Sequence, residues 1–169
     1  MKTIYLAGGC YWGNEHFLKQ IHGVLDTTVG FANGNVPNPT YKQVCTHTTG
    51  FAETVCVHYE DVALEQLLEL YFMTIDPTSV NRQGEDEGDQ YRTGIYYTDP
   101  ADLPVIQQSI SQLAQRYEAP IVIEVEPLRN FYPAHDDHQD YLDKNPHGYC
   151  HINPELFAIA KRWKPKNEN

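Results

Sequence analysis

Nothing in the chain approaches the roughly 18 consecutive apolar residues that a membrane-spanning helix needs, and the mean hydropathy is −0.54. Cations are scarce: 12 Lys and Arg stand against 23 Asp and Glu, a formal charge of −11. A surface for nucleic-acid phosphates requires clustered positive charge, so DNA and RNA are set aside as partners. No internal repeat, linker or low-complexity block is present. The apolar part of the opening segment is too short for a secretory signal and is broken by Gly8-Gly9. A cytoplasmic protein with reduced thiols is therefore expected. Cysteine is sparse. Cys10, Cys45, Cys56 and Cys150 include no C-x-x-C pair, which argues against a zinc ribbon or a thioredoxin-type motif. No self-complementary heptad pattern appears either, and a monomer is expected.

What remains is ordinary globular chemistry. Hydrophobic residues make up 41% of the 169 positions, enough to bury a core in one domain spanning 1–169, with 165–169 expected as a frayed tail. Thr3–Ala7 reads as a strand stopped by Gly8-Gly9, and a helix follows from Tyr11 or Trp12 toward Gln20, closed by Gly23. Leu25–Phe31 reads as a strand, and Thr40 is placed to cap a short helix over Tyr41–Cys45. Alternation in Glu53–Tyr59 predicts a strand with Val55 and Val57 on one side. Leu64, Leu67, Leu68, Tyr71 and Phe72 fall at helical spacing, which predicts a helix over Ala63–Met73. A polar loop is expected over Asn81–Gln90. Then follow a strand over Thr93–Thr98, a helix over Leu103–Tyr117 with Pro104 in its first turn, and a strand over Ile121–Val125. Interleaved elements of both kinds predict an α/β (α+β) two-layer sandwich with a mixed sheet. Pro127–Pro154 is rich in aromatics, His and Asp but weakly periodic.

The run Gly8-Gly9-Cys10-Tyr11-Trp12-Gly13 puts a thiol at a strand-to-helix turn. Flanking glycines permit a tight turn and leave the site open to approach. Unpaired N–H groups at a helix start stabilise a thiolate, so a lowered thiol pKa is expected. A buried, inert Cys is the commoner fate of a lone thiol. The turn and the aromatic pair beside it favour a nucleophile. His135 and His138, at i and i+3 beside Asp136 and Asp137, raise a zinc reading. Ligand-like clusters of this kind are often structural networks, and no metal is expected.

Gly9-Cys10-Tyr11-Trp12-Gly13 resembles the Gly-Cys-Phe-Trp-Gly signature of the A-type peptide methionine sulfoxide reductases. The likeness continues in order through Gly30–Gly34, Asn38–Tyr41, Val44-Cys45, Gly50–Glu53, Asp76–Thr78, Asn81–Gly84, Asp86–Arg92 and Asn145–Cys150, nearly the whole chain. The resemblance implies a ferredoxin-like core and reduction of the S epimer of methionine sulfoxide, free or in proteins.

That chemistry needs a soft nucleophile aimed at sulfur and an acid aimed at oxygen. Cys10 is the nucleophile. Glu53 opens an apolar strand after Phe51-Ala52, where desolvation would keep it protonated, and the resemblance makes it the acid. Tyr41 and Tyr91 match the family tyrosines whose uncharged hydroxyls hold the sulfoxide oxygen. Tyr11 and Trp12 are expected to wall the pocket for the S-methyl group, and Asp86 matches a carboxylate near the site. Cys150 is implied as the thiol that condenses with a Cys10 sulfenic acid, from a segment expected to be mobile, and the disulfide would be handed to thioredoxin with no cofactor. Cys45 and Cys56 are read as structural. The chain departs from the family pattern at Tyr11, where Phe is usual and whose hydroxyl needs water or a partner, and at Ile75, where His is common and a local packing change is expected. It also lacks the further recycling Cys that many relatives carry after the position of Cys150. Two other uses fit fewer of these residues: a peroxide-reducing thiol protein, and a metal- or redox-sensing module built on Cys and His.

Overall fold

The computed structural model describes residues 1–46 and 48–164, so the expected tail 165–169 lies outside the described residues. In chain order the elements are β1 (Lys2–Ala7), α1 (Tyr11–Leu18), β2 (Val24–Ala32), α2 (Tyr41–Val44), β3 (Ala52–Tyr59), α3 (Leu64–Phe72), β4 (Arg82–Gln83), β5 (Asp86–Glu87), β6 (Gly94–Tyr97), α4 (Asp102–Ala114), β7 (Glu124–Pro127), β8 (Phe131–Pro133), α5 (Tyr141–Lys144) and α6 (Pro154–Arg162). The main sheet has the order β7-β6-β1-β3-β2-β8. Its β6–β7 pair, joined through α4, is parallel and every other pair is antiparallel, so the sheet is mixed. The inner β1-α1-β2-β3-α3-β6 run, ordered β6-β1-β3-β2, is the ferredoxin-like arrangement.

Period-2 alternation sorts the sheet into two faces. Ile4 and Leu6 of β1, Val29 and Phe31 of β2, Val55 and Val57 of β3 and Ile95 of β6 join Phe17, Leu67, Leu68 and Tyr71 of α1 and α3 in one apolar cluster. Ala7, Ala32, Ala52 and Tyr96 form a smaller cluster of their own. β3 lies between β1 and β2 and is buried from Ala52 through Val57, charged Glu53 included. Register places Phe31 opposite Glu53, so the carboxyl is aimed into the helix-side core.

Close backbone approach beside that strand is purchased with a glycine. A Cβ built on Gly34 would lie 2.2 Å from the ring of Phe51, which is itself buried against Phe31 and Tyr132. Gly34→Ala is expected to lose about 2–3 kcal/mol of stability through overpacking, read as a lowered midpoint in urea or thermal unfolding. An unchanged midpoint would show that the Phe51 ring is not held as described.

Several boundaries differ from expectation. The Ile121–Val125 strand begins instead at Glu124, because Val122 N–H donates to Pro77 C=O at 2.8 Å and the ladder with β6 starts only at Gly94–Glu124. The helix expected to reach Tyr117 ends at Ala114. The polar loop Asn81–Gln90 contains the β4–β5 hairpin, turned at Gly84 with φ +60°. Helix α6 has no counterpart in the expectation. Its start carries a signal nonetheless: the Asn153 side chain accepts from Glu155 N–H at 3.0 Å, with Pro154 in the first position. Among the described residues no helix is long and apolar enough to cross a membrane.

Candidate active site

Cys10 is the residue immediately before α1, with extended backbone and 7% exposure. The turn beneath it is tied down by Gly9 N–H to Tyr91 C=O (3.2 Å) and by the Asn14 amide to Gly8 C=O (2.8 Å). Gly9 adopts φ +88°, the left-handed region that glycine tolerates. Ile75, one of the two departures from the family pattern, is buried against Gly8: a Cβ built there would meet its Cγ2 at 2.6 Å.

The expected depression of the thiol pKa is not what the surroundings produce. Burial raises it, the Glu53 charge raises it further, and the Trp12 N–H acts in the opposite direction without reversing them. One N–H hydrogen bond from the helix start does not replace the water that a nearly buried sulfur loses. The resting group is a neutral thiol.

Glu53 is 0% exposed. Its Oε1 accepts from Tyr11 N–H at 3.2 Å and its Oε2 from the Gln90 amide at 3.1 Å. Burial pushes its pKa up to about 8, against the lowering effect of those two hydrogen bonds, so it is largely protonated at neutral pH. As oriented here both neighbours donate to the carboxyl, which leaves its own proton for a third group.

Tyr41 and Tyr91 surround the same carboxyl. Each phenol is raised first by burial and then by the Glu53 charge, and Tyr41 feels Tyr91 directly, so both remain protonated donors at neutral pH. Tyr41 follows Thr40, whose side chain forms the capping box of α2 with Gln43, as the sequence predicts. Tyr11 is fully buried, 5.7 Å from Phe31 between ring centroids, and its hydroxyl is unpaired with any described protein group. Trp12 is partly buried, stacks on Tyr141 at 3.7 Å, and donates its indole N–H to His138 Nδ1 at 3.1 Å. Asp86 accepts the Tyr149 hydroxyl at 2.9 Å, and its charge is felt by Cys10, Glu53 and Tyr91.

Cys150 Sγ is half-buried beside the first turn of α1: a Cβ built on Gly13 would meet it at 3.0 Å. All four cysteines are free thiols. Cys56 is buried on the other face of β3 from Glu53, in keeping with a structural role. Cys45 is exposed at the end of α2, and its sulfur accepts from the Gln90 amide at 3.6 Å, so it borders the site.

The sequence profile of the family described as peptide methionine sulfoxide reductase matches residues 2–167. The chain belongs to that family. A curated relative, the peptide methionine sulfoxide reductase MsrA of Lachnoclostridium phytofermentans, is 58% identical over 162 residues, covering 95% of this chain and 98% of the relative. The reduced form of Mxr1 from Saccharomyces cerevisiae superposes with a TM-score of 0.85 at 38% identity, covering 90% of this chain and 91% of that one. Mxr1 in complex with Trx2 gives 0.59 at 27% identity, covering 83% and 84%.

Membership in the reductase family also frames what sequence reasoning missed. His138 stacks on Tyr41 at 5.0 Å and accepts from Trp12, linking two site aromatics, while His135 turns away to accept from Asp137 N–H. Among the described residues no group of three or more His, Cys, Asp or Glu side chains is arranged to hold a metal. Gln90, 1% exposed, orients Glu53 and carries no signal of its own in the sequence. A groove of about 950 Å³ between α3, α4 and α6, lined by Glu69, Leu113 and Trp163 among others, contains none of these residues.

Proposed function

We propose that this chain reduces methionine-(S)-sulfoxide, free and in proteins, to methionine, repairing oxidised proteins in the cytoplasm as a monomer without a cofactor of its own. The observation that carries the reading is the fully buried Glu53 carboxyl held by the N–H of the residue next to Cys10, where burial favours its protonated form. A sulfoxide oxygen becomes a leaving group only as it gains a proton. Cys10 sulfur attacks the substrate sulfur while Glu53 gives its proton to the oxygen, and Tyr41 and Tyr91 donate to the charge developing there. The Cys10 thiol proton replaces the one that Glu53 gave, which suits a thiol held neutral at rest. Net, one oxygen passes from methionine sulfur to Cys10 sulfur: methionine leaves as the thioether and Cys10 becomes a sulfenic acid. Cys150 then condenses with it, releasing water and forming a disulfide that a thioredoxin dithiol reduces. The yeast Mxr1 structure in complex with Trx2 supports a protein reductant of this kind. Asp86 is assigned to the hydrogen-bond network around the site, and Tyr11 and Trp12 to the pocket for the S-methyl group.

The deciding assay offers the reduced protein both epimers of dabsyl-methionine sulfoxide. Turnover of the S epimer alone is expected; equal turnover of both, or of neither, refutes the assignment. Cys150→Ser is expected to form one methionine per chain and then stop with thioredoxin as reductant. Normal cycling by that variant would mean that another thiol, with exposed Cys45 the nearest alternative by its place at the site, resolves Cys10.

A further inference from the structure

His151 follows Cys150 and is used by none of the steps above. Its ring occupies a slot left by the two glycines that flank Cys10: a Cβ on Gly9 would lie 2.8 Å from Nε2, and one on Gly13 would lie 3.2 Å from Nδ1. Nε2 is 3.1 Å from Gly8 C=O. A carbonyl only accepts, so Nε2 carries the ring proton and Nδ1 presents its lone pair. That Nδ1 is buried and no described protein group is paired with it. The point on Gly13 that sees Nδ1 at 3.2 Å sees Cys150 Sγ at 3.0 Å, so both atoms border the same small space beside α1. The thiol now donates to Ile152 C=O at 3.6 Å, an acceptor that cannot remove its proton. Burial also raises the Cys150 pKa, leaving it the wrong protonation state for attack.

We infer that His151 is the base that takes the Cys150 thiol proton as this sulfur attacks oxidised Cys10. The inference rests on the proposed sulfenic acid and disulfide. The Cys150 electron pair forms the S–S bond, the Cys10 S–O bond breaks, and the hydroxyl leaves as water with the proton that Nδ1 took up. Cys150 is oxidised and the Cys10 sulfenic acid reduced, so no further oxidant enters. Burial keeps the imidazole neutral and ready to accept, and Asp86, the charged group that acts on it, favours the imidazolium once formed.

The test is rapid quenching after one equivalent of methionine-(S)-sulfoxide, with methionine and remaining thiols counted at each time. His151→Gln keeps an amide N–H for Gly8 C=O and removes the base; His151→Asn is the second variant should the first not fold. Disulfide formation is expected to slow about 10²-fold relative to methionine release, and to recover with added imidazole and with rising pH, while the unmodified protein responds to imidazole little. Asp86 is the charged side chain that acts on the ring and Cys150 the thiol beside it, and both are present in either protein. A variant that closes its disulfide as fast as the unmodified protein overturns the inference. So does slowing that neither imidazole nor pH relieves, which marks a positional role. Unmodified protein that releases methionine without a Cys10–Cys150 disulfide overturns instead the reading beneath it.

Discussion

Cys10→Ser is expected to produce no methionine, even in a single turnover with excess enzyme. A serine hydroxyl occupies nearly the same volume at the turn before α1, so the fold should survive with an unfolding midpoint within a few degrees of the original. What disappears is the soft, polarizable sulfur. The resting thiol is already neutral, yet its proton is transferable within the site; a hydroxyl has a far higher pKa and no affinity for an electrophilic sulfur. Loss of an essential nucleophile costs about 10⁴-fold or more in rate. The contrast with Cys150→Ser carries the diagnosis. One variant should yield nothing and the other one methionine per chain, measured by quench and mass spectrometry under identical conditions. Measurable first-turnover methionine from Cys10→Ser would remove Cys10 from the centre of the chemistry.

The parts of this site that the sequence makes legible are those set by local rules. Gly8-Gly9 ends β1 and places Cys10 before α1, and the alternation through Val55 and Val57 puts Glu53 on the core face of β3. Thr40 caps α2 as its residue type demands. Less legible is whatever depends on which distant chain covers what. Beyond the three-residue edge strand β8, the segment 127–153 is fastened largely by side chains, and it lacks periodicity for that reason. Gln139 accepts from Val29 N–H and donates to Val29 C=O, while Asp140 N–H reaches buried Glu15 at 2.7 Å and Arg129 N–H reaches Asn33 at 2.7 Å. Such bonds leave no repeat to read. The thiol pKa fails for the same reason. A helix start is visible in sequence, but the exclusion of water from Cys10, 7% exposed, is a property of the assembled fold. Tyr41 and Tyr91 stand out among 12 tyrosines only through family resemblance, and His151 carries no sequence signal beyond its place after Cys150.

Glu53→Gln is expected to lower turnover by about 10²–10⁴-fold, the range for loss of a positioned acid, while making the protein more stable. The amide can still accept from Tyr11 N–H, and the Gln90 amide can turn to present its Oε1, which is buried without a protein partner, to the new NH₂. Shape is conserved and only the transferable proton is lost. The stability effect follows from linkage. In the unfolded chain this carboxyl ionises near 4.5, whereas in the folded protein it holds its proton up to about 8. Between those values the unfolded state binds fewer protons, so stability falls as pH rises and levels off above about 8. Glutamine has no such dependence. The advantage of the variant should therefore be small below pH 4.5 and grow through the window by about 1.4 kcal/mol per pH unit at most. Unmodified activity should decline as pH passes about 8, where Glu53 loses the proton it donates. Urea unfolding of both proteins at several pH values, beside a rate profile of the unmodified enzyme, measures each part. A variant that keeps its rate within tenfold, or a stability gap that does not widen with pH, would mean that Glu53 is already ionised in the folded protein and cannot be the acid.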